Sequence, residues 1–446
     1  MIQAITAADL KAFEARFDQS PVARVAMNAV VKSGVEAAAL SYDAARRMRY
    51  AFSLEIDPGE LTNQKSSGRC WMFAALNTMR YAIMQKLHLE KFELSQNYPL
   101  FFDKLEKANY FLENILETLD QPLNGRVVAW LLSGPLNDGG QWDMFRNLVE
   151  KYGVVPKEAM PETYHSSNTS KMNKYLTLKL REDACRLREA YAQGKTLPQL
   201  REMKETMLGE IYGMLCVCLG KPPQTVCLET RDKDGAFIRR GEMTPVAFFN
   251  AYVGWDLSEY VSLINAPTQD KPFGRTYTVK FLGNVRDGHA VRYLNVDVAT
   301  LKRVAIAQMQ DGDPVWFGCD VGQWLDRDSG SMDLEGYDLE GLLGVRFGMT
   351  KAQRLDYGES LMTHAMVFNG VNLVDGKPNR WRVQNSWGEK SGHEGWYIMS
   401  DAWFDQYLYQ IVVNKKYLTD EELAQLEQAP IELQPWDPMG SLALMR

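Results

Sequence analysis

The sequence predicts an α+β fold of two lobes, one helical and one β-rich, with a reactive cysteine on the first and its base on the second. Three observations predict it. From Cys70 onward, Trp71, Phe73, Ala74, Leu76, Met79, Ile83 and Leu87 are apolar at mixed three- and four-residue spacing, the period of a helix. From about Tyr277 the period shifts: Thr276–Phe281 alternates, and short apolar runs follow at Pro314–Cys319, Ala365–Phe368, Arg380–Asn385 and Gly395–Met399. Almost three hundred residues separate Cys70 from His364, and the stretch between them includes a long charged helical run, Lys171–Leu219.

Taken in order, residues 1–54 read as a helical extension, with a capping box at Thr6-Ala7-Ala8-Asp9. Residues 55–160 read as the helical lobe that carries Cys70. Residues 161–275 read as a mostly helical insertion fit for assembly. Within it Lys171–Leu219 is a long charged helical stretch, broken near Gly194 and Pro198, and Arg231–Gly241 is an exposed loop or hairpin. Val246–Ile264 is aromatic-rich and partly helical. Residues 276–415 form the β-rich lobe with His364 and Asn385, and residues 416–446 a C-terminal arm. After Glu432 two prolines and Gly440 make that arm irregular.

Composition limits the function. The chain has 446 residues, a hydrophobic content of 46% and a formal charge of −7, the profile of a globular enzyme with several domains. The acidic balance argues against nucleic-acid or membrane-surface partners. No run reaches the apolar length of a membrane span, and Met1–Thr6 holds no basic stretch before an apolar one, so no secretory signal is expected. Six cysteines in so long a chain do not read as a disulfide framework, and a cytoplasmic location is expected. Cys216, Cys218 and Cys227 have no histidine near them in sequence, so a structural role is favoured over metal binding.

The chemistry rests on Cys70, His364, Asn385 and Gln64. Cys70 follows a glycine-containing turn and opens a helix, whose positive end favours thiolate, so a low thiol pKa and rapid alkylation are expected. Gln64 lies six residues upstream, and its amide N–H can join the Cys70 backbone N–H at a developing oxyanion. His364 heads an apolar strand and Asn385 ends another. A thiol needs a base, and the base needs a third group to orient its ring. Trp387 is placed to cover the Asn385–His364 bond at the edge of the substrate site. In isolation, Gly139 and Gly140 read as a turn before a helix.

These residues carry a resemblance to the bleomycin hydrolase (aminopeptidase C) family of papain-like cysteine peptidases. Its motifs are Gly68-Arg69-Cys70-Trp71, Asn137-Asp138-Gly139-Gly140-Gln141-Trp142-Asp143, Asn385-Ser386-Trp387-Gly388 and Pro435-Trp436-Asp437-Pro438-Met439-Gly440. The resemblance implies a papain-like two-lobe fold and a cysteine aminopeptidase acting on peptides without a cofactor or metal. It makes Gly139 and Gly140 substrate-binding and implies a closed homo-oligomer, a hexamer. It also implies that the arm lies in the cleft with its terminal carboxylate facing the substrate's α-ammonium. The family's tail ends at or just after the residue matching Ala443, whereas Leu444-Met445-Arg446 continue here, so trimming, obstruction or altered specificity is expected. The rival expectation is a papain-fold endopeptidase with an open cleft.

Overall fold

Two apolar cores organise the chain in the computed structural model, which describes residues 4–444. The first gathers the helices Cys70–Leu87, Asn97–Glu117 and Trp142–Tyr152. The helix Cys70–Leu87 is buried along most of its length, including every residue from Cys70 to Arg80. Its apolar residues therefore face protein on all sides rather than along one stripe. It ends at His88, which takes a left-handed conformation with φ +53°.

The second core lies beneath a 12-stranded sheet. Its centre runs Tyr260–Ile264, Leu408–Asn414, Val315–Cys319, His364–Val374, Lys377–Gln384 and Trp396–Ser400, neighbour to neighbour. His364 heads its strand directly opposite Cys319, and Asn385 follows immediately after Gln384 on the next strand. The helix Cys70–Leu87 packs against the His364 strand, which brings the two lobes together at the cysteine. The sheet begins earlier than expected. Tyr260–Ile264 pairs parallel with Tyr293–Asn295, so the expected start of the β-rich lobe at residue 276 is corrected. Aromatic residues in Val246–Ile264 suit strand as well as helix, and five residues carry too little period to decide.

The insertion contains the helices Ser170–Ala192 and Leu197–Leu219, which pack on each other and on Asn97–Glu117. The break falls at Gly194, with φ +89°, and Pro198 sits in the first turn of the second helix, where its missing N–H does no harm. A hairpin, Val226–Arg231 with Phe237–Met243, follows. At the N-terminus Thr6 and Asp9 form the expected capping box, and the helices Ala7–Asp18 and Pro21–Ser33 bury none of their residues.

The arm is more ordered than its prolines suggest. Ile431–Leu433 adds a parallel strand to Arg275–Val279, and Pro438–Leu444 forms a 3-10 helix. It is fastened along its length. The Arg126 guanidinium stacks 3.6 Å from the Trp436 ring centre, and Lys271 Nζ lies 2.9 Å from Asp437 Oδ2 with both side chains nearly buried. Tyr293 Oη donates to Met439 O at 3.1 Å, and Ser441 Oγ donates to Met362 O at 2.8 Å. Met445 and Arg446, the end of the expected extension, lie outside the described residues, as do Met1–Gln3.

Candidate active site

Cys70 is the first residue of its helix, and Met72 and Phe73 both donate their N–H to Arg69 O. The Cys70 and Trp71 N–H groups have no such acceptor, so they are free to face the thiol. Arg69 places a cation at this helix N-terminus, where it is electrostatically unfavourable. Its buried guanidinium is held by both carboxylate oxygens of Glu162, at 2.9 and 2.7 Å. Sequence reading missed that pair, since nothing local links residues so far apart.

His364 Nε2 lies 2.8 Å from Asn385 Oδ1. The same oxygen accepts the Ser386 N–H at 2.7 Å, which fixes the orientation of the amide. An amide oxygen only accepts, so Nε2 carries the proton of the neutral ring and Nδ1 keeps a free lone pair. The Trp387 ring lies 4.9 Å from the His364 ring, tilted by 37°, and shields the bond. Gln64 joins the same strand end. Its Oε1 accepts the Ser386 hydroxyl at 2.6 Å, its Nε2 donates to Ser67 O at 2.6 Å, and its backbone N–H donates to Ser386 O at 2.8 Å. One Nε2–H remains for another acceptor. Ser386 therefore orients both amides, a role legible only in its position within Asn385-Ser386-Trp387-Gly388.

The two glycines face different neighbours. A Cβ on Gly139 would stand 1.9 Å from Leu442 O, so the arm's backbone passes directly over it. A Cβ on Gly140 would meet the Trp71 indole at 2.5 Å, and Trp71 Nε1 donates to Asp138 O at 2.8 Å. Gly140 thus makes room for a core ring rather than for the cleft. Lys107 Nζ donates to Gly139 O at 2.6 Å and fixes this turn from below. Met439, Leu442 and Ala443 are buried, and Ala443 borders a small cavity with Lys107 and Phe281.

Burial sets the electrostatics of the site. It pushes the Cys70 thiol up to about 11, against the N–H groups of Ala365, Trp71 and Cys70, which pull it down. Burial also pushes His364 down to about 4, against its bond to Asn385. The expectation of a low thiol pKa is thereby corrected for the buried site: desolvation outweighs the helix N-terminus. Thiol and imidazole are both neutral there. Among the described residues no three His, Cys, Asp or Glu side chains gather as metal ligands would, and no helix is long and apolar enough to cross a membrane.

Cys70 heads a helix that packs on the strand headed by His364, and His364 is bonded to Asn385. The chain belongs to the Peptidase C1-like family, whose model matches residues 4–440. It is 48% identical to Aminopeptidase C of Listeria monocytogenes over 440 residues, covering 99% of each chain. It is 46% identical to bleomycin hydrolase of Gallus gallus over 391 residues, covering 86% of each. Its fold is similar to a crystal structure of PepW from Lactobacillus rhamnosis, with a TM-score of 0.97, 51% identity and 99% of each chain covered. The chain is accordingly a cysteine-type peptidase with a papain-like two-lobe fold.

Proposed function

We propose that this peptidase is a cytoplasmic cysteine aminopeptidase that removes N-terminal residues from peptides, with Cys70 as nucleophile, His364 as base and acid, Asn385 as orienter and Gln64 as oxyanion donor. The observation that carries the reading is Ser386: it ties the Gln64 amide and the Asn385–His364 bond to one strand end. In the first step Nδ1 of His364 takes the thiol proton as Sγ attacks the scissile carbonyl. The oxyanion is held by Gln64 Nε2–H and the Cys70 N–H. His364 then gives the proton to the leaving amine, and a thioester remains. Water attacks the thioester with His364 again as base, releasing the first residue as a free acid and restoring the thiol.

The arm accounts for removal of one residue at a time. Its backbone passes over Gly139, and in this reading it leaves room for a single residue before the scissile bond. Trimmed to Ala443, it would set an α-carboxylate against the substrate's α-ammonium. Six free cysteines and a thiol nucleophile suit a reducing compartment. The exposed apolar N-terminal helices support a closed homo-oligomer, a hexamer, in which they are covered by neighbouring chains.

The test is product analysis by mass spectrometry on a free-amine peptide. Wild type should release residues one at a time from the N-terminus, and Cys70→Ala should release none while keeping its circular dichroism. Activity retained in Cys70→Ala would overturn the mechanism. Internal cleavage by wild type would favour the open-cleft endopeptidase.

A further inference from the structure

The stretch from Gln64 to Cys70 carries the oxyanion donor and the nucleophile, and it does not hold itself in place. Lys65 stands in the left-handed region with φ +54°, a conformation that a residue with a Cβ keeps only where its surroundings impose it. Part of those surroundings lies in residues 162–169, at the start of the insertion. The Ser66 N–H donates to Ser167 O at 3.0 Å, and the Thr169 N–H donates to Ser66 O at 3.3 Å. The turn before Cys70 is thereby joined to the insertion by a short parallel bridge, Ser66 with Asn168.

A run of side-chain hydrogen bonds crosses the same place. Both carboxylate oxygens of Glu162 hold the Arg69 guanidinium, and the Ser166 hydroxyl donates to Glu162 Oε2 at 2.8 Å. Arg69 Nε remains, and it donates to Ser67 Oγ at 2.9 Å. Ser67 Oγ donates in turn to Gln64 O at 2.6 Å, and Ser67 O accepts Gln64 Nε2 at 2.6 Å. One hydrogen of the Gln64 amide is thus spent on a residue that Arg69 fixes, and the direction of the other follows from it. The Arg69 side chain has no exposed surface, and that of Glu162 keeps 22%. Burial raises the Glu162 pKa, but Arg69 and Ser166 outweigh it and hold the carboxyl below its ordinary value, so Glu162 is ionised at neutral pH. A cation at the N-terminus of the Cys70 helix opposes the macrodipole, and a buried ion pair adds little net stability. What the pair supplies is geometry: a planar fork with Glu162 on two of its nitrogens and Ser67 on the third.

We propose that Arg69 and Glu162 are positioning residues for the oxyanion site: they act on the reaction through Ser67 and the Gln64 amide, without touching the reacting atoms. The start of the insertion thereby sets the geometry in which the tetrahedral intermediate is held. The inference rests on the reading of Gln64 as oxyanion donor.

The test is kcat and KM of the full chain on alanyl amidomethylcoumarin for Ser67→Ala, Arg69→Gln and Arg69→Lys, each alone and combined with Gln64→Ala. Ser67→Ala and Arg69→Gln should each lower kcat by about tenfold or more and leave KM within about twofold, because a misdirected donor is missed mainly in the transition state. Arg69→Lys should fall with them, since an ammonium keeps the charge but cannot serve Glu162 and Ser67 as one planar fork. In the Gln64→Ala background the same changes should lower kcat by less than about twofold, since the donor they direct is already gone. A merely structural role would lower kcat by the same factor in both backgrounds, and that result would overturn the inference. So would a normal kcat in Ser67→Ala, or full activity in Arg69→Lys. Ser67→Ala leaves the Arg69–Glu162 pair intact and is expected to keep its circular dichroism; should Arg69→Gln unfold, the Ser67→Ala cycle decides alone. If Gln64→Ala by itself turns over at the wild-type rate, the oxyanion reading fails, and this inference with it. If wild type cleaves peptides only internally, the aminopeptidase reading alone fails, and the same cycle is read on that cleavage.

Discussion

Gln64 is gripped at three points, and the Ser386 hydroxyl decides which end of its amide faces the reaction. Removing the donor itself, Gln64→Ala, should lower kcat by roughly 10–1000-fold, the range seen for lost oxyanion donors. Ser386→Ala should lower kcat by about tenfold with little change in KM, because the amide is then free to turn. A normal kcat in both variants would remove Gln64 from its role. A second single-residue effect concerns Asp143, whose buried carboxyl is pushed up from 3.8 to about 6 by desolvation, against the Arg292 N–H that it accepts. A raised carboxyl pKa means the folded chain binds the proton more tightly than the unfolded one, so stability falls as pH rises from about 4 through about 6. Asp143→Asn removes that loss. It should be more stable than wild type by up to ~3 kcal/mol at pH 8 and level with it near pH 4. Thermal melts at the two pH values measure the difference, and a pH-independent gap would contradict the assignment.

Among the elements, the N-terminal pair stands apart. Ala7–Asp18 and Pro21–Ser33 are capped and helical, yet Leu10, Phe13, Val22, Val25 and Val31 are exposed. Isolated helices of this length are marginal in water, so a partner surface is expected to cover them. Light scattering on wild type should give a native mass near six times the 50.8 kDa chain. Lysine at Val22, Val25 and Val31 together should shift it to smaller species, and a strict monomer at micromolar concentration would contradict the oligomer. The elements also divide by how well they could be read. The helix from Cys70, the helical pair broken at Gly194, the Thr6 capping box and the strands at His364 and Asn385 were legible, because each carries a long period or a local signal. Tyr260–Ile264 and Ile431–Leu433 were not, since they are short and owe their conformation to parallel partners distant in sequence. For the site, residue types in order singled out Cys70, His364, Asn385 and Gln64 as candidates. They did not reveal the Arg69–Glu162 pair or the raised thiol pKa, which arise only when segments far apart bury one another.

At the scale of the whole molecule, the arm joins these parts. Its anchors draw on both lobes: Arg126 and Gly139 from the helical lobe, Tyr293 and Met362 from the sheet side. Cys70 is fully buried, so iodoacetamide should reach the exposed Cys185 and Cys227 before Cys70 in the intact chain. Loss of the arm should bring Cys70 and His364 back toward their ordinary pKa values, since burial is the largest cause of both shifts. The central claim is that this arm turns a papain-like cleft into an aminopeptidase. A carboxylate paired with the substrate's α-ammonium in a partly dry cleft contributes ~1.5–3 kcal/mol, roughly 10–150-fold in discrimination. The direct measurement is kcat/KM on a free-amine dipeptide amide and on N-acetylated peptides, for the intact chain and for one lacking residues 439–446. The deletion should lower the first and raise the second; a deleted chain that keeps the intact chain's preference for free amines would contradict the account.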